Sequence, residues 1–223
     1  MKAALIYTST TPELIELVER EVRKNIGAEA ELLSMQDPSI LAETRDAGYV
    51  TPTAAARLMS MYTKAVADGA DAILNICSSV GEVADAFQPA ARYIGVPVVR
   101  IDEEMCREAV RRGSRIGVLA TLPTTLEPTK GTIRRVAREM GRHVELEDGL
   151  VEAFGMDRDQ FRKLLVGAAE VLAPRVDVIV LAQGSMAYVE QDIEKVVGRP
   201  TLSSPRFGAA ELAKALRNKG FAV

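Results

Sequence analysis

Short apolar runs recur along the chain, each broken by small polar residues and followed by a helical pattern. The first, Ala3-Ala4-Leu5-Ile6-Tyr7, is apolar at every position, as expected of a strand buried on both faces. It leads into Thr8-Ser9-Thr10-Thr11. Pro12 then opens a helix with apolar positions Leu14, Ile15, Leu17, Val18 and Val22, closed by Gly27. A second strand is predicted from Ala30 to Ser34. A loop carrying Pro38 and Gly48-Tyr49-Val50-Thr51-Pro52 comes next, and then a helix from Thr53 to Ala67 with Ala54, Leu58, Met61 and Ala65 at helical spacing. Asp71-Ala72-Ile73-Leu74-Asn75-Ile76-Cys77-Ser78-Ser79 reads as a buried strand breaking into a polar loop. After another helix, Gly95-Val96-Pro97-Val98-Val99 reads as a fourth strand. Strands alternating with helices imply a parallel sheet with right-handed crossovers.

The pattern then repeats. Leu5-Ile6-Tyr7-Thr8 is answered by Val118-Leu119-Ala120-Thr121, and each is followed by Thr, Pro and a helix ending at a glycine, Gly27 or Gly141. Ala30-Glu31-Leu32 is answered by Val144-Glu145-Leu146. Asp71 to Ser79 is answered by Asp177-Val178-Ile179-Val180-Leu181-Ala182-Gln183-Gly184-Ser185, and Gly95-Val96-Pro97 by Gly198-Arg199-Pro200. The common order of these matches points to a duplicated α/β unit. The expected architecture is two pseudo-symmetric lobes, each a parallel sheet flanked by helices, one covering residues 1–100 with 205–223 and the other 101–204.

Composition narrows the function. The 223 residues are 48% hydrophobic and 26% charged, with a net charge of −3, so no basic face for nucleic acid is implied. The run Ala3 to Tyr7 is too short for a signal segment, and no apolar stretch reaches membrane-spanning length; a cytoplasmic protein with reduced thiols is expected. Two cysteines and one histidine exclude a disulfide framework and a multi-histidine metal centre. There is no phosphate-binding glycine fingerprint.

In parallel sheets ligands bind beyond the carboxyl ends of the strands. Four polar loops fall at such ends: Thr8-Ser9-Thr10-Thr11, Cys77-Ser78-Ser79, Thr121 with Thr124-Thr125, and Gln183-Gly184-Ser185. A pseudo-two-fold pairing would gather them around one cleft between the lobes, Cys77 facing Gln183 and Ser79 facing Ser185. Hydroxyls and backbone N–H groups near helix N-termini suit a carboxylate and the enediolate formed when a proton leaves the adjacent carbon. A thiolate at Cys77 could move that proton. The loops carry no arginine, which favours a small carboxylic acid or an imide over a phosphate; Arg206, after Ser203-Ser204-Pro205, is the one nearby cation. Cys106 lies in a helical stretch and reads as packing, and His143 as solvated.

On Leu74-Asn75-Ile76-Cys77-Ser78-Ser79, Gly117-Val118-Leu119-Ala120-Thr121 and Val180-Leu181-Ala182-Gln183-Gly184-Ser185-Met186, the sequence resembles the aspartate/glutamate/hydantoin racemase superfamily over nearly its whole length. The resemblance implies two similar lobes, no cofactor, an active site between the lobes and a homo-oligomer. It implies Cys77 as acid/base, small polar anion-binding groups at Ser78 and Ser79, and further hydroxyls near Thr121, Thr124 and Thr125. Thr8, Ser9, Thr10, Asn75 and Gly184, at or next to the strand-end loops, are expected to bind substrate with them. Racemases of this family use two cysteines, and the second position here is Gln183. An amide is no acid/base, so Ser185 positioned by Gln183, or a water, would complete an inversion. Arylmalonate decarboxylases of the same superfamily need one cysteine, but theirs lies on the second motif. The expected function is a racemase or isomerase of a small acid. The alternatives are a one-cysteine decarboxylase or lyase, and a non-catalytic small-acid binding protein.

Overall fold

The computed structural model describes residues 1–9, 11–153 and 156–223. The chain divides into two compact units, Met1–Ile101 with Pro205–Val223, and Asp102–Ser204. In the first, β1 (Lys2–Tyr7), β2 (Glu31–Gln36), β3 (Ala72–Ile76) and β4 (Val98–Arg100) form a parallel sheet in the order β2-β1-β3-β4. In the second, β5 (Arg115–Ala120), β6 (Glu145–Leu150), β7 (Val178–Leu181) and β8 (Thr201–Ser203) repeat that order as β6-β5-β7-β8. This is the two-lobed α/β architecture expected from the repeat.

The continuous apolar runs are the central strands. Ala3 to Tyr7 are fully buried because helices cover both faces of the sheet. Leu5, Tyr7, Leu74 and Ile76 face α1 (Pro12–Ile26) and α9 (Ser204–Asn218), which contribute Val18, Val22, Leu212 and Leu216. Ala4, Ile6, Ile73 and Val98 face α2 (Pro38–Ala47), α3 (Pro52–Ala67) and α4 (Gly81–Ile94), which contribute Ile40, Leu58, Tyr62 and Phe87. In the second unit α7 (Arg158–Leu172) and α8 (Glu190–Val197) cover Leu119, Ile179 and Leu181. There α5 (Glu103–Arg112) packs against β7, β8 and α6 (Pro123–Glu139), and α6 also packs on β5. The helix after each edge strand belongs to the other unit: α5 follows β4, and α9 follows β8.

The duplication extends to individual hydrogen bonds. Asp71 Oδ2 accepts from the Lys2 amide at 2.8 Å, and Asp177 Oδ2 from the Arg115 amide at 2.9 Å. The amides of those aspartates donate to Lys2 O and Arg115 O, both at 2.7 Å. Ile73 N reaches Pro97 O, and Ile179 N reaches Pro200 O, both at 2.9 Å. Gly95 and Gly198 close α4 and α8 in the left-handed region, where a side chain is strained.

One predicted loop is a helix. Residues from Pro38 form α2, because Pro38 is a first-turn proline rather than a breaker and the Asp37 side chain accepts from Ser39 N at 3.0 Å. Only Ile40 and Thr44 of α2 are buried, too sparse an apolar stripe to stand out in the sequence. Thr11 occupies the N-cap of α1, ahead of Pro12, but gives no side-chain cap bond. Among the described residues no helix is long and apolar enough to cross a membrane.

Candidate active site

The thiol of Cys77 sits where β3 ends. Cys77 is extended, at φ −167° and ψ 117°, and precedes a single 3-10 turn (Ser78–Val80) that runs directly into α4. It is half-buried, so it is both reachable and shielded. Ser78 and Ser79 are 6% and 3% exposed. A cysteine just before a helix start lies in the positive field of that helix end, which favours the thiolate.

A buried polar chain holds the backbone of Cys77. The Tyr62 hydroxyl donates to Asn75 Oδ1 at 2.9 Å, and Asn75 Nδ2 donates to the Cys77 carbonyl at 3.1 Å. Asn75 therefore has its amide engaged within the protein and holds the backbone of the cysteine. Burial, and then the neighbouring Cys77, push the Tyr62 hydroxyl well above the usual phenol range, so it stays a neutral donor.

A cation that the loops did not reveal stands near this chain. Arg100 is the last residue of β4 and pairs in register with Asn75. Its side chain is 3% exposed and forms a 2.6 Å ion pair with Asp85 of α4. The guanidinium lies against Gly81, the first residue of α4, where a Cβ would collide with it. The carboxyl end of β4 was itself a usable signal, since that edge of a parallel sheet collects ligand groups.

Thr8 directly follows Tyr7, and Cys77 directly follows Ile76, the two residues of the last β1–β3 pair. It is fully buried, and its hydroxyl finds no hydrogen-bond partner among the described residues. Ser9 is half-buried. Thr10 lies outside the described residues.

In the second unit Gln183 follows β7 as Cys77 follows β3. Its amide is closed onto Thr121: Oε1 accepts from Thr121 N at 2.8 Å, and Nε2 donates to Thr121 Oγ1 at 2.8 Å. This bidentate latch ties the ends of β7 and β5. Gly184 and the exposed Ser185 open a short 3-10 stretch, Gly184–Val189. The hydrogen bonds of the Gln183 side chain run to Thr121 rather than to the expected Ser185. Thr125 is 2% exposed, and Thr124 Oγ1 is buried without a partner among the described residues. Arg206 is exposed, with its guanidinium 4.5 Å from the Phe207 ring centroid. Cys106 is fully buried on α5, and His143 is exposed.

A family model described as Asp/Glu/Hydantoin racemase matches residues 4–212. No curated protein sequence matches. Among solved structures, allantoin racemase from Klebsiella pneumoniae superposes with a TM-score of 0.69 at 18% identity, covering 100% of this chain and 89% of that one. Glutamate racemase isoform RacE1 from Bacillus anthracis gives 0.68 at 16%, covering 98% and 82%. Unliganded arylmalonate decarboxylase gives 0.60 at 16%, covering 100% and 94%. At these identities the structural likeness speaks to the fold.

Proposed function

Because the chain belongs to the Asp/Glu/Hydantoin racemase family, we propose that it is a cofactor-independent isomerase of the racemase type. It moves a proton at the carbon next to the carboxylate or carbonyl of a small carboxylic acid or imide, with the Cys77 thiol as acid/base. The observation that carries this reading is the placement of Cys77: half-buried, at a strand end before a helix N-terminus, its carbonyl held by Asn75. The thiolate takes the proton, and the electron pair left on carbon moves onto the carboxylate or carbonyl oxygen as an enediolate or enolate. Hydroxyl and backbone donors offset that charge. The unpartnered Thr8 hydroxyl is the first of these, since a buried hydroxyl with no bond costs about 1–3 kcal/mol until something accepts from it. Ser9, Ser78 and Ser79 are proposed beside it.

Inversion also needs a proton delivered to the other face of the carbon. Gln183 cannot supply it: an amide does not titrate in this range, and this one is bound to Thr121. The proposed donor is water. The same latch favours a second reading, a one-cysteine decarboxylase in which carbon dioxide leaves and Cys77 protonates the resulting enediolate on one face.

The test follows carbon-bound protons by NMR in deuterated buffer for wild type and Cys77→Ala. The panel holds both enantiomers of small amino acids, hydantoins, hydroxy acids and substituted malonates. Cys77-dependent deuterium uptake with loss of optical purity is the expected result. One-faced uptake with carbon dioxide release selects the decarboxylase. Turnover that survives Cys77→Ala overturns both.

A further inference from the structure

We propose that Arg100 is the positioning residue of the Cys77 thiol, its buried guanidinium supplying the positive potential that keeps the sulfur ionised. This rests on the reading of Cys77 as the acid/base and adds the source of its charge. Three independent features point the same way.

The first is order along the segment that leaves β3. Cys77 precedes the 3-10 turn, Gly81 opens α4 directly after that turn and Asp85 lies one turn further along α4; the guanidinium lies on Gly81. The positive partner of the ion pair is therefore toward the thiol end of α4 and the negative partner, Asp85, one turn beyond. Arg100 also shares its strand register with Asn75, which holds the Cys77 carbonyl, so charge and thiol are fixed to the same piece of sheet.

The second is burial. A guanidinium at 3% exposure has lost its water, a cost that apolar residues at the same position would avoid. Its field is correspondingly little screened. Apolar packing alone does not call for an arginine here: Val98, on the same face of β4, is buried against the apolar core.

The third is the repeat. In the second unit Leu181 stands in register with Ser203 as Asn75 does with Arg100. Ser203 hydrogen-bonds Glu190 of α8, the counterpart of the Arg100–Asp85 contact. The duplicated position thus keeps its tie to a helix carboxylate in both units. It carries a cation only in the unit that carries the strand-end thiol.

Among the described residues, the other titratable or charged groups near the thiol and the guanidinium include Tyr62 of α3, held neutral by burial, the exposed Glu82 of α4, and Asp102, 1% exposed and two residues past Arg100. On the α2 side stand Asp37 and Glu43, both paired with Arg57.

The test is the pH dependence of Cys77 alkylation by iodoacetamide in the full chain, read by peptide mass spectrometry, which needs no substrate. Arg100→Met is expected to raise the apparent thiol pKa by about one unit, slowing alkylation roughly ten-fold on the acid side. Asp85→Asn, which removes only the negative partner, is expected to lower the pKa and speed alkylation. Gly81→Ala leaves every charge in place but displaces the guanidinium, and is expected to raise the pKa. Arg100→Lys restores most of the wild-type value. A role limited to holding the loop predicts that Arg100→Met and Asp85→Asn shift the profile in the same direction, since each breaks the same pair; that result, or no shift in either, overturns the proposal. Should Arg100→Met fail to fold, the sign for the near-isosteric Asp85→Asn decides alone. Failure of the acid/base reading is separate: it shows as turnover that survives Cys77→Ala while the opposed shifts persist.

Discussion

The chain from Tyr62 through Asn75 to Cys77 sets up a double-mutant cycle whose outcome follows from burial. Tyr62 and Asn75 are 0% and 1% exposed, so water cannot replace a bond lost between them. Tyr62→Phe deletes one hydroxyl and leaves the ring against Phe87, 5.2 Å away between centroids. It forfeits a bond and strands Asn75 Oδ1, for about 1–2 kcal/mol. Asn75→Ala breaks both bonds of the amide, strands the Tyr62 hydroxyl and the Cys77 carbonyl, and empties side-chain volume, for about 3–4 kcal/mol. In the double variant no hydroxyl remains to be stranded, so its cost falls short of the sum by about 1 kcal/mol. Hydrogen exchange read by mass spectrometry at the β3 amides reports the first unit by itself, which matters in a chain of two compact units. Asn75→Ala is also expected to speed Cys77 alkylation at fixed pH without moving its pH midpoint, because the amide is neutral. Strict additivity of the two substitutions would refute the bonded chain, and a moved midpoint would refute the assignment of Asn75 as a mechanical support.

Four further outcomes are expected. Under native conditions iodoacetamide labels Cys77 and spares the fully buried Cys106, which reacts only on unfolding; equal labelling by mass spectrometry contradicts the burial. Asp177 is held at about 2 by the Arg115 guanidinium and backbone amide, below the ordinary carboxylate value of 3.8, so its stabilisation is present above that value and lost as pH falls toward 2. Asp177→Asn should therefore lower second-unit stability near neutral pH and flatten its loss on acidification, followed by circular dichroism. Gly208→Ala would put a Cβ 2.7 Å from Ile101 Cα, and is expected to cost about 2–3 kcal/mol in thermal or urea unfolding. Thr121→Val removes the hydroxyl end of the Gln183 latch, for about 1–2 kcal/mol, seen as faster exchange at the ends of β5 and β7.

The strands were legible because each central one is an unbroken apolar run, a pattern that burial on both faces imposes and that few other environments tolerate. The repeat implied that the two sheets share one strand order, though not which order. Residues 38–47 were missed because α2 buries only two side chains and begins with a proline, so propensity pointed away from a helix that its cap and tertiary packing sustain. The site was legible only where chemistry sits in a loop. Cys77, Thr8 and Ser79 announce themselves as polar residues after an apolar run. Tyr62 and Arg100 do not, because each lies within a regular element and their approach to Cys77 depends on long-range packing of α3 and β4 around β3. Arg100 is the sharper case: the loops hold no arginine, yet the strand next to the thiol ends in one.

The two units show what duplication preserved and what it left free. Bonds that fix strand starts recur almost atom for atom: Asp71 and Asp177 each take the first amide of the neighbouring strand, and Pro97 and Pro200 each accept from the strand beside them. Those bonds lie at the amino ends of the strands, where they secure the frame. At the carboxyl ends the units part. One has Asn75, Cys77 and Arg100, an amide, a thiol and a cation on one face of the sheet; the other has Leu181, Gln183 and Ser203, with the amide turned onto Thr121. Thiol and cation occur together in one unit and are both absent from these positions in the other. If Arg100 served only packing, nothing would tie its occurrence to that of Cys77. If it serves the thiol, a unit that holds glutamine at the strand end has no use for a buried charge, and a hydroxyl bonded to Glu190 keeps the contact without the cost of desolvating a guanidinium.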